Sequence, residues 1–250
     1  MPASSLATYC GPPPLPQDLW GRWNLDPVLL AVLAVVVAAF MLMGSHMRRD
    51  RASFLAGMAV LVVIFISPLC ALTVALFSAR VVHHVLLIAV AAPLLAWALI
   101  GRLPPRIQAL LPALSTPLLA LHVVIFWVWH MPDAYAQALA STPLYWLMQV
   151  SLLGSAMLFW VAVLLAAPGR AVVALVVVTA QMGLLGALLV FAHQPLYLPH
   201  LSTTAPFGMA AHTDQQLAGL IMWVPAALPY LLVAMLRLTD WLRRSEARRA

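Results

Sequence analysis

Apolar residues fill this chain in long runs, and polar residues are confined to short stretches between them. A helix needs about twenty apolar residues to cross a bilayer core of about 30 Å. Seven runs reach or approach that length: 27–45, 53–77, 81–101, 114–130, 144–166, 171–191 and 215–236. The pattern predicts an all-α fold, a polytopic membrane helix bundle of about seven transmembrane helices. Pro68, Pro93, Pro225 and Pro229 fall inside these runs. In a soluble helix each would be a break. In a bundle, neighbouring groups satisfy the freed carbonyls, so bends are expected.

Composition fits that reading. Of 250 residues, 64% are apolar and 8% charged, against about 45–50% and about 25% in soluble domains. So few charges cannot cover a water-facing surface. The formal charge of +6 does not point to nucleic acid, because the placement of the arginines gives them another job. Arg48, Arg49, Arg51, Arg102, Arg106, Arg170, Arg237, Arg243, Arg244, Arg248 and Arg249 fall in one set of loops, and only Arg22 and Arg80 in the other. By the positive-inside rule, the C-terminus is cytoplasmic and the N-terminus outside. The expected divisions are an outer segment 1–26, a bundle 27–238 and a basic cytoplasmic tail 239–250 that anchors on anionic lipid. The first twenty-six residues lack a basic stretch followed at once by an apolar core, so the first run reads as an uncleaved span of an inner-membrane protein.

Polar chemistry collects on one side. His83, His84, His130, His193, His200 and His212 fall at outer helix ends or in outer loops, joined by Asp133 and Asp214. Imidazole suits late transition metals and thioether sulfur favours Cu(I). A copper-handling outer face is therefore chemically reasonable, with His84, His130, Asp214, His83 and His122 as candidate ligands. The competing reading for His122, eight residues before His130, is a structural hydrogen bond to a neighbouring helix. Asp214 is expected to cap its own helix. Gln215, Gln216 and Gly219 follow at membrane depth, where they would let a helix or cofactor approach closely, and Trp223 closes the stretch. Arg80 is a candidate ion-pair partner for Asp214 or Asp133. Cys10 and Cys70, one in a loop and one in a span, are not expected to pair. No nucleophile elbow, phosphate loop, paired-carboxylate site or HExxH motif is present, so an enzyme is not expected.

Ordered motifs carry a family resemblance. Asp214 to Pro225, Ser78-Ala79-Arg80-Val81-Val82-His83-His84 leading to Ala92-Pro93-Leu94-Leu95, Trp129-His130-Met131-Pro132 with Tyr135, Leu158-Phe159-Trp160, and Pro195-Leu196-Tyr197 appear in sequence. Together they resemble the seven-helix cytochrome c oxidase assembly family, CtaG of caa-type oxidases. The resemblance implies a multi-pass protein of the bacterial inner membrane that partners haem-copper oxidase subunits and works near a copper centre. Two positions depart from the family pattern. Arg80 stands where the pattern has a histidine four residues before the one matched by His84, and Met148-Gln149 stands where it has Glu-His. Those departures imply a docking or stabilising partner in place of direct metal binding. Three rivals stay open: a copper transporter, whose inner-side ligands would be His46 with Met41, Met43 and Met47; a membrane cytochrome using His84 and His122; and an accessory oxidase subunit.

Overall fold

The computed structural model describes residues 8–43 and 48–247, and among them every regular element is helical. Lipid offers the backbone no hydrogen-bond partners, so each span must satisfy its own N–H and C=O groups. The helices are α1 (Pro27–Leu42), α2 (Arg48–Ile66), α3 (Leu69–Ala75), α4 (Phe77–Ile100), α5 (Pro105–Leu110), α6 (Ser115–His130), α7 (Pro132–Ala140), α8 (Thr142–Leu165), α9 (Pro168–Phe191), α10 (Ala211–Trp223) and α11 (Ala227–Ala247). Proline opens several of them, at a position whose N–H would have no intrahelical partner in any case.

Four stretches are long and apolar enough to cross a membrane: α4, α8, α9 and Ala211–Ala247. The pairs α2–α3, bent by 49°, and α6–α7, bent by 74°, raise the number to six if each is one span. The remaining expected span, α1, is apolar but only 16 residues long. Its expected end at Ser45 lies outside the described residues, as do His46 and Met47 of the inner-side group.

The breaks have local causes. Pro68 cannot donate, which leaves carbonyls at the end of α2 open. Asn24 closes them, its backbone N–H donating to Ile66 (2.9 Å) and its side chain to Phe65 (3.0 Å). Pro93 likewise removes a donor inside α4, and the turns before it, Leu86–Ala91, widen into a π-helix. The Trp160 indole on α8 donates to the Ile88 carbonyl there, at 2.9 Å. Pro225 lies in the break between α10 and α11.

The core is centred on α8, whose Met148, Leu152, Ala156, Phe159 and Trp160 are wholly buried. It packs against α4 and α6. Small residues on α4, including Ala89, Ala92 and Ala96, let the helices approach closely. Gly186 of α9 and Gly219 of α10 make the tightest crossing. A Cβ on Gly219 would lie 2.6 Å from the Gly186 carbonyl, and one on Gly186 2.7 Å from the Gly219 carbonyl.

Cys10 and Cys70 form a disulfide, with Cα atoms 5.4 Å apart, contrary to the expectation from sequence. The bend at Ser67–Pro68 brings Cys70 to the end of the bundle where the N-terminal segment lies. Tyr9 stacks on Tyr145 (5.0 Å) and meets Trp146 edge-on, and its hydroxyl donates to Asp26 at 2.7 Å. That hydroxyl is the main reason the Asp26 carboxyl sits below its ordinary pKa. Asp26 in turn caps α1, accepting from the Val28 N–H at 2.8 Å.

Candidate functional site

The end of the bundle opposite the arginine-rich loops holds a dense set of buried polar side chains. Asp214 lies in the first turn of α10, but it does not cap α10. Its carboxylate accepts from the backbone N–H groups of Phe77 (2.6 Å) and Ser78 (3.2 Å), and from the Ser78 hydroxyl. It therefore caps α4, where the extended backbone at Leu76 exposes first-turn donors.

The loop 192–210 pins the same junction from the other side. Thr203 donates to the Ala75 carbonyl at 2.7 Å. His200 is buried against it, with Nδ1 at 3.3 Å from the Ala75 carbonyl and Nε2 at 2.8 Å from the Tyr135 hydroxyl. The carbonyl can only accept, so Nδ1 carries the proton and Tyr135 donates to Nε2. Burial, more than any neighbouring charge, pushes the His200 pKa down to about 4.

Gln215 and Gln216 are also helix-capping groups. Gln215 donates to Leu189 (3.2 Å) and accepts from Leu196 N–H (2.7 Å), and Gln216 donates to Val190 (3.3 Å). His212 reaches the Ala192 carbonyl at 2.8 Å. These side chains close the C-terminal carbonyls of α9. The close approach expected around Gly219 is to α9, where the Trp223 ring covers Gly183 and the Trp223 backbone and Cβ lie against Gly186.

One turn into α4 the situation reverses. Arg80 is buried at 1% exposure, and its Nε and Nη1 have no hydrogen-bond partner. It forms no ion pair with Asp214 or Asp133, since the one salt bridge among the described residues is Arg22–Asp18 at 2.6 Å. Asp214 is committed to α4, and Asp133 is exposed in the first turn of α7. Arg80 instead lies over the Tyr145 ring, 5.3 Å from its centroid, beside the Tyr135 and Tyr145 hydroxyls.

His83 and His84 diverge as their 100° helical offset requires. His83 meets Phe65 edge-on at 5.0 Å and lies beside the Ile64 carbonyl and Gln149. His84 faces His130 of α6, ring centroids 5.6 Å apart. No hydrogen bond of normal geometry reaches either ring nitrogen of His83 or His84, nor the amide of Gln149, although all three residues are buried. Gln149 also lies on the wall of an apolar cleft of ≈ 520 Å³ between α1, α2 and α8. His130 is half-committed: Nδ1 donates to the Phe126 carbonyl at 2.7 Å, which leaves Nε2 as the basic nitrogen. His122 lies apart from this group. Its Nδ1 is 3.0 Å from the Ser155 hydroxyl and its ring stacks on Phe159, the structural role weighed against ligand duty.

Of the five candidate ligands, the structure brings His83, His84 and His130 into one group and separates Asp214 and His122. Among the described residues no three of His, Cys, Asp and Glu form a metal-holding group. Sequence reasoning missed Tyr145, and it placed Ser78 in a motif without its role on Asp214. Nothing in their spacing marks these roles, since each acts across the bundle on a residue far away in the chain.

A family model described as cytochrome c oxidase caa3 assembly factor matches residues 30–244. The chain belongs to this family. The match runs from within α1 to within the last turn of α11 and takes in the whole of the buried cluster. No curated protein and no solved structure matches the chain.

Copper is the metal expected from the sequence, and the residues present fit it poorly. Two imidazoles in contact suit a soft cation of low coordination number. Arg80, however, places a fixed positive charge one turn before His84 on the same helix face, with no carboxylate in ion-pair contact. A resident copper ion would need at least one further donor and would feel that charge.

Proposed function

We propose that this chain helps mature a haem-copper oxidase in the bacterial inner membrane as a docking and stabilising partner, with the arginine-rich end cytoplasmic and the buried histidine cluster toward the outer face. The family match over residues 30–244 carries this reading. The arginine bias supports the orientation. The cluster supplies the working chemistry. Arg80, His83, His84 and Gln149 hold buried polar atoms without partners. Buried groups of this kind are rare in a finished fold and point to a use outside it. These side chains are closed off within the bundle, so a docked oxidase subunit supplies the missing partners only where docking parts the helix ends that cover them.

The test compares membranes lacking the chain with membranes carrying the parent, Arg80→Leu or His84→Ala. The readouts are oxidase activity and the haem and copper content of the oxidase. Full restoration by the parent and several-fold less by either variant, at equal amounts of folded chain, supports the reading. Unimpaired oxidase without the chain defeats it.

A second reading is favoured by the orphaned nitrogens of His84 facing His130: transient copper presentation by that pair. Copper content of the detergent-purified protein under Cu(I)-preserving conditions separates the two. Stoichiometric copper that disappears in a His84→Ala, His130→Ala double variant establishes presentation. Absence of copper from both leaves the docking role.

A further inference from the structure

The arginine-rich end carries a second cavity, which the oxidase reading does not use. A cleft of ≈ 790 Å³ lies between α11 on one side and α2 with α4 on the other, floored by α8. Its deep walls are apolar, formed by residues such as Val90, Pro93, Leu228 and Leu232. At its mouth the chemistry changes. Arg49, in the first turn of α2, lies 4.5 Å above the Trp97 ring near the end of α4. Arg237 of α11 extends an Nη2 group to the carbonyls of Val163, Leu164 and Ala166 at the end of α8, at 3.2, 2.8 and 2.7 Å.

Arg49 and Trp97 sit near helix ends on one side of the bundle, and Arg237, midway along α11, reaches the end of α8 on that same side, which puts the two cations and the tryptophan at the mouth together. Leu228 is nine residues before Arg237 on α11, placing it about 13 Å deeper. The cleft therefore grades from hydrocarbon-like walls to a cationic mouth with an aromatic residue of interfacial type.

Neither arginine has a carboxylate within ion-pair distance among the described residues, and Arg237 Nε is buried without a partner. Asp240 lines the same mouth beyond that distance and leaves the balance there positive.

Size narrows the occupant. Ligand-sized cavities run to about 300–1,000 Å³. A twenty-residue helix some 10 Å across and 30 Å long fills roughly 2,400 Å³ and does not fit. Apolar walls beneath a mouth of two arginines and one aspartate, net positive, match one chemistry, an acyl chain carrying a phosphate headgroup.

We infer that this cleft is a binding site for an anionic phospholipid, with one acyl chain against α8 and α11 and the phosphate between Arg49 and Arg237. The site ties α11 to the α2–α4 wall through the lipid. It is independent of the oxidase role.

The test uses full-length protein purified in detergent and exposed to dioleoylphosphatidylglycerol or dioleoylphosphatidylcholine at equal mole fraction. Lipid retained per protein after washing is measured by mass spectrometry. The parent should retain the anionic lipid at least about five-fold over the zwitterionic one, the discrimination one arginine near a membrane surface confers. Arg49→Gln should lose about that factor. Leu232→Trp, on an exposed position of α11 that lines the cleft, fills the hydrocarbon part and should lower retention of both lipids without touching a charge. It also keeps the test decisive if Arg49→Gln fails to fold. Equal retention of the two lipids by the parent overturns the inference, as does selectivity unchanged in both variants. Displacement of the lipid by millimolar inorganic phosphate, with Leu232→Trp behaving as the parent, would identify a free-phosphate site and overturn it as well.

Discussion

Asp214 and Arg80 are buried charges that meet the same first turns of α4. Asp214 has three donors around its carboxylate, and the loop that follows α9 locks the junction through Thr203 and His200. The disulfide Cys10–Cys70 and the Tyr9 stack hold the N-terminal segment against the same end. A single turn further on, Arg80, His83 and His84 lack partners for most of their polar atoms. One region is saturated and the other is left open. Saturated polar groups hold a fold together, whereas open ones cost stability and are retained for another reason. The pinned junction is therefore scaffold, and the cluster beneath it is what the scaffold holds in place.

The largest expected effect falls on the pins. The disulfide closes a separation of 60 residues. In the chain-entropy account, a loop of that length is worth about 4 kcal/mol. Cys10→Ala should lower detergent-denaturation stability by up to that amount, and a reductant should do the same to the parent alone. Next comes Asp214→Ala, which strands two backbone N–H groups and the Ser78 hydroxyl. A loss of about 3 kcal/mol is expected from hydrogen bonds to a charged acceptor, with Asp214→Asn losing less.

A smaller, pH-dependent effect sits at His200. Its folded pKa of about 4 lies below the ordinary 6.5. The unfolded chain therefore takes up this proton first as pH falls. Stability from the buried neutral imidazole is complete above about pH 6.5 and is lost progressively toward pH 4. Thermal stability should drop between pH 7 and pH 5, and His200→Gln should flatten part of that drop. An equal slope in the variant would remove His200 from the pinned set. The smallest effect on stability belongs to Arg80→Leu. Replacing an unpaired buried cation by an apolar side chain should leave stability within about 1 kcal/mol of the parent, or raise it.

Much of this architecture was legible in the chain because lipid imposes one demand, long apolar helices with internally satisfied backbones. The runs around α4, α8 and α9 announce themselves, and Pro68 marks the bend after α2. Pairings across the bundle were not legible. A carboxylate in the first turn of α10 reads equally well as a cap for its own helix, and only the packing shows that Asp214 serves α4. Gln215 and Gln216 read as letting a helix or a cofactor approach closely; the structure brings a helix, α9, and the two side chains close its end. Cys70 lies in an apolar run, so its meeting with Cys10 depends on a bend that spacing does not reveal. For the candidate site, the histidine-bearing side was readable from the asymmetry between loops. The separation of His122 from the group His83, His84 and His130 came from Ser155 and Phe159, thirty or more residues away, which hold its ring although its Nε2 has no partner.

The central claim is that the open cluster serves the oxidase and not the fold. The most direct measurement takes Arg80→Leu and reads two quantities on the same preparation: thermal stability of the detergent-purified chain, and oxidase activity of the membranes that supplied it. The account predicts stability at or above the parent's while oxidase activity falls several-fold. Stability that falls as far as in Asp214→Ala, with oxidase activity tracking only the amount of folded chain, would make Arg80 one more structural residue and contradict the account.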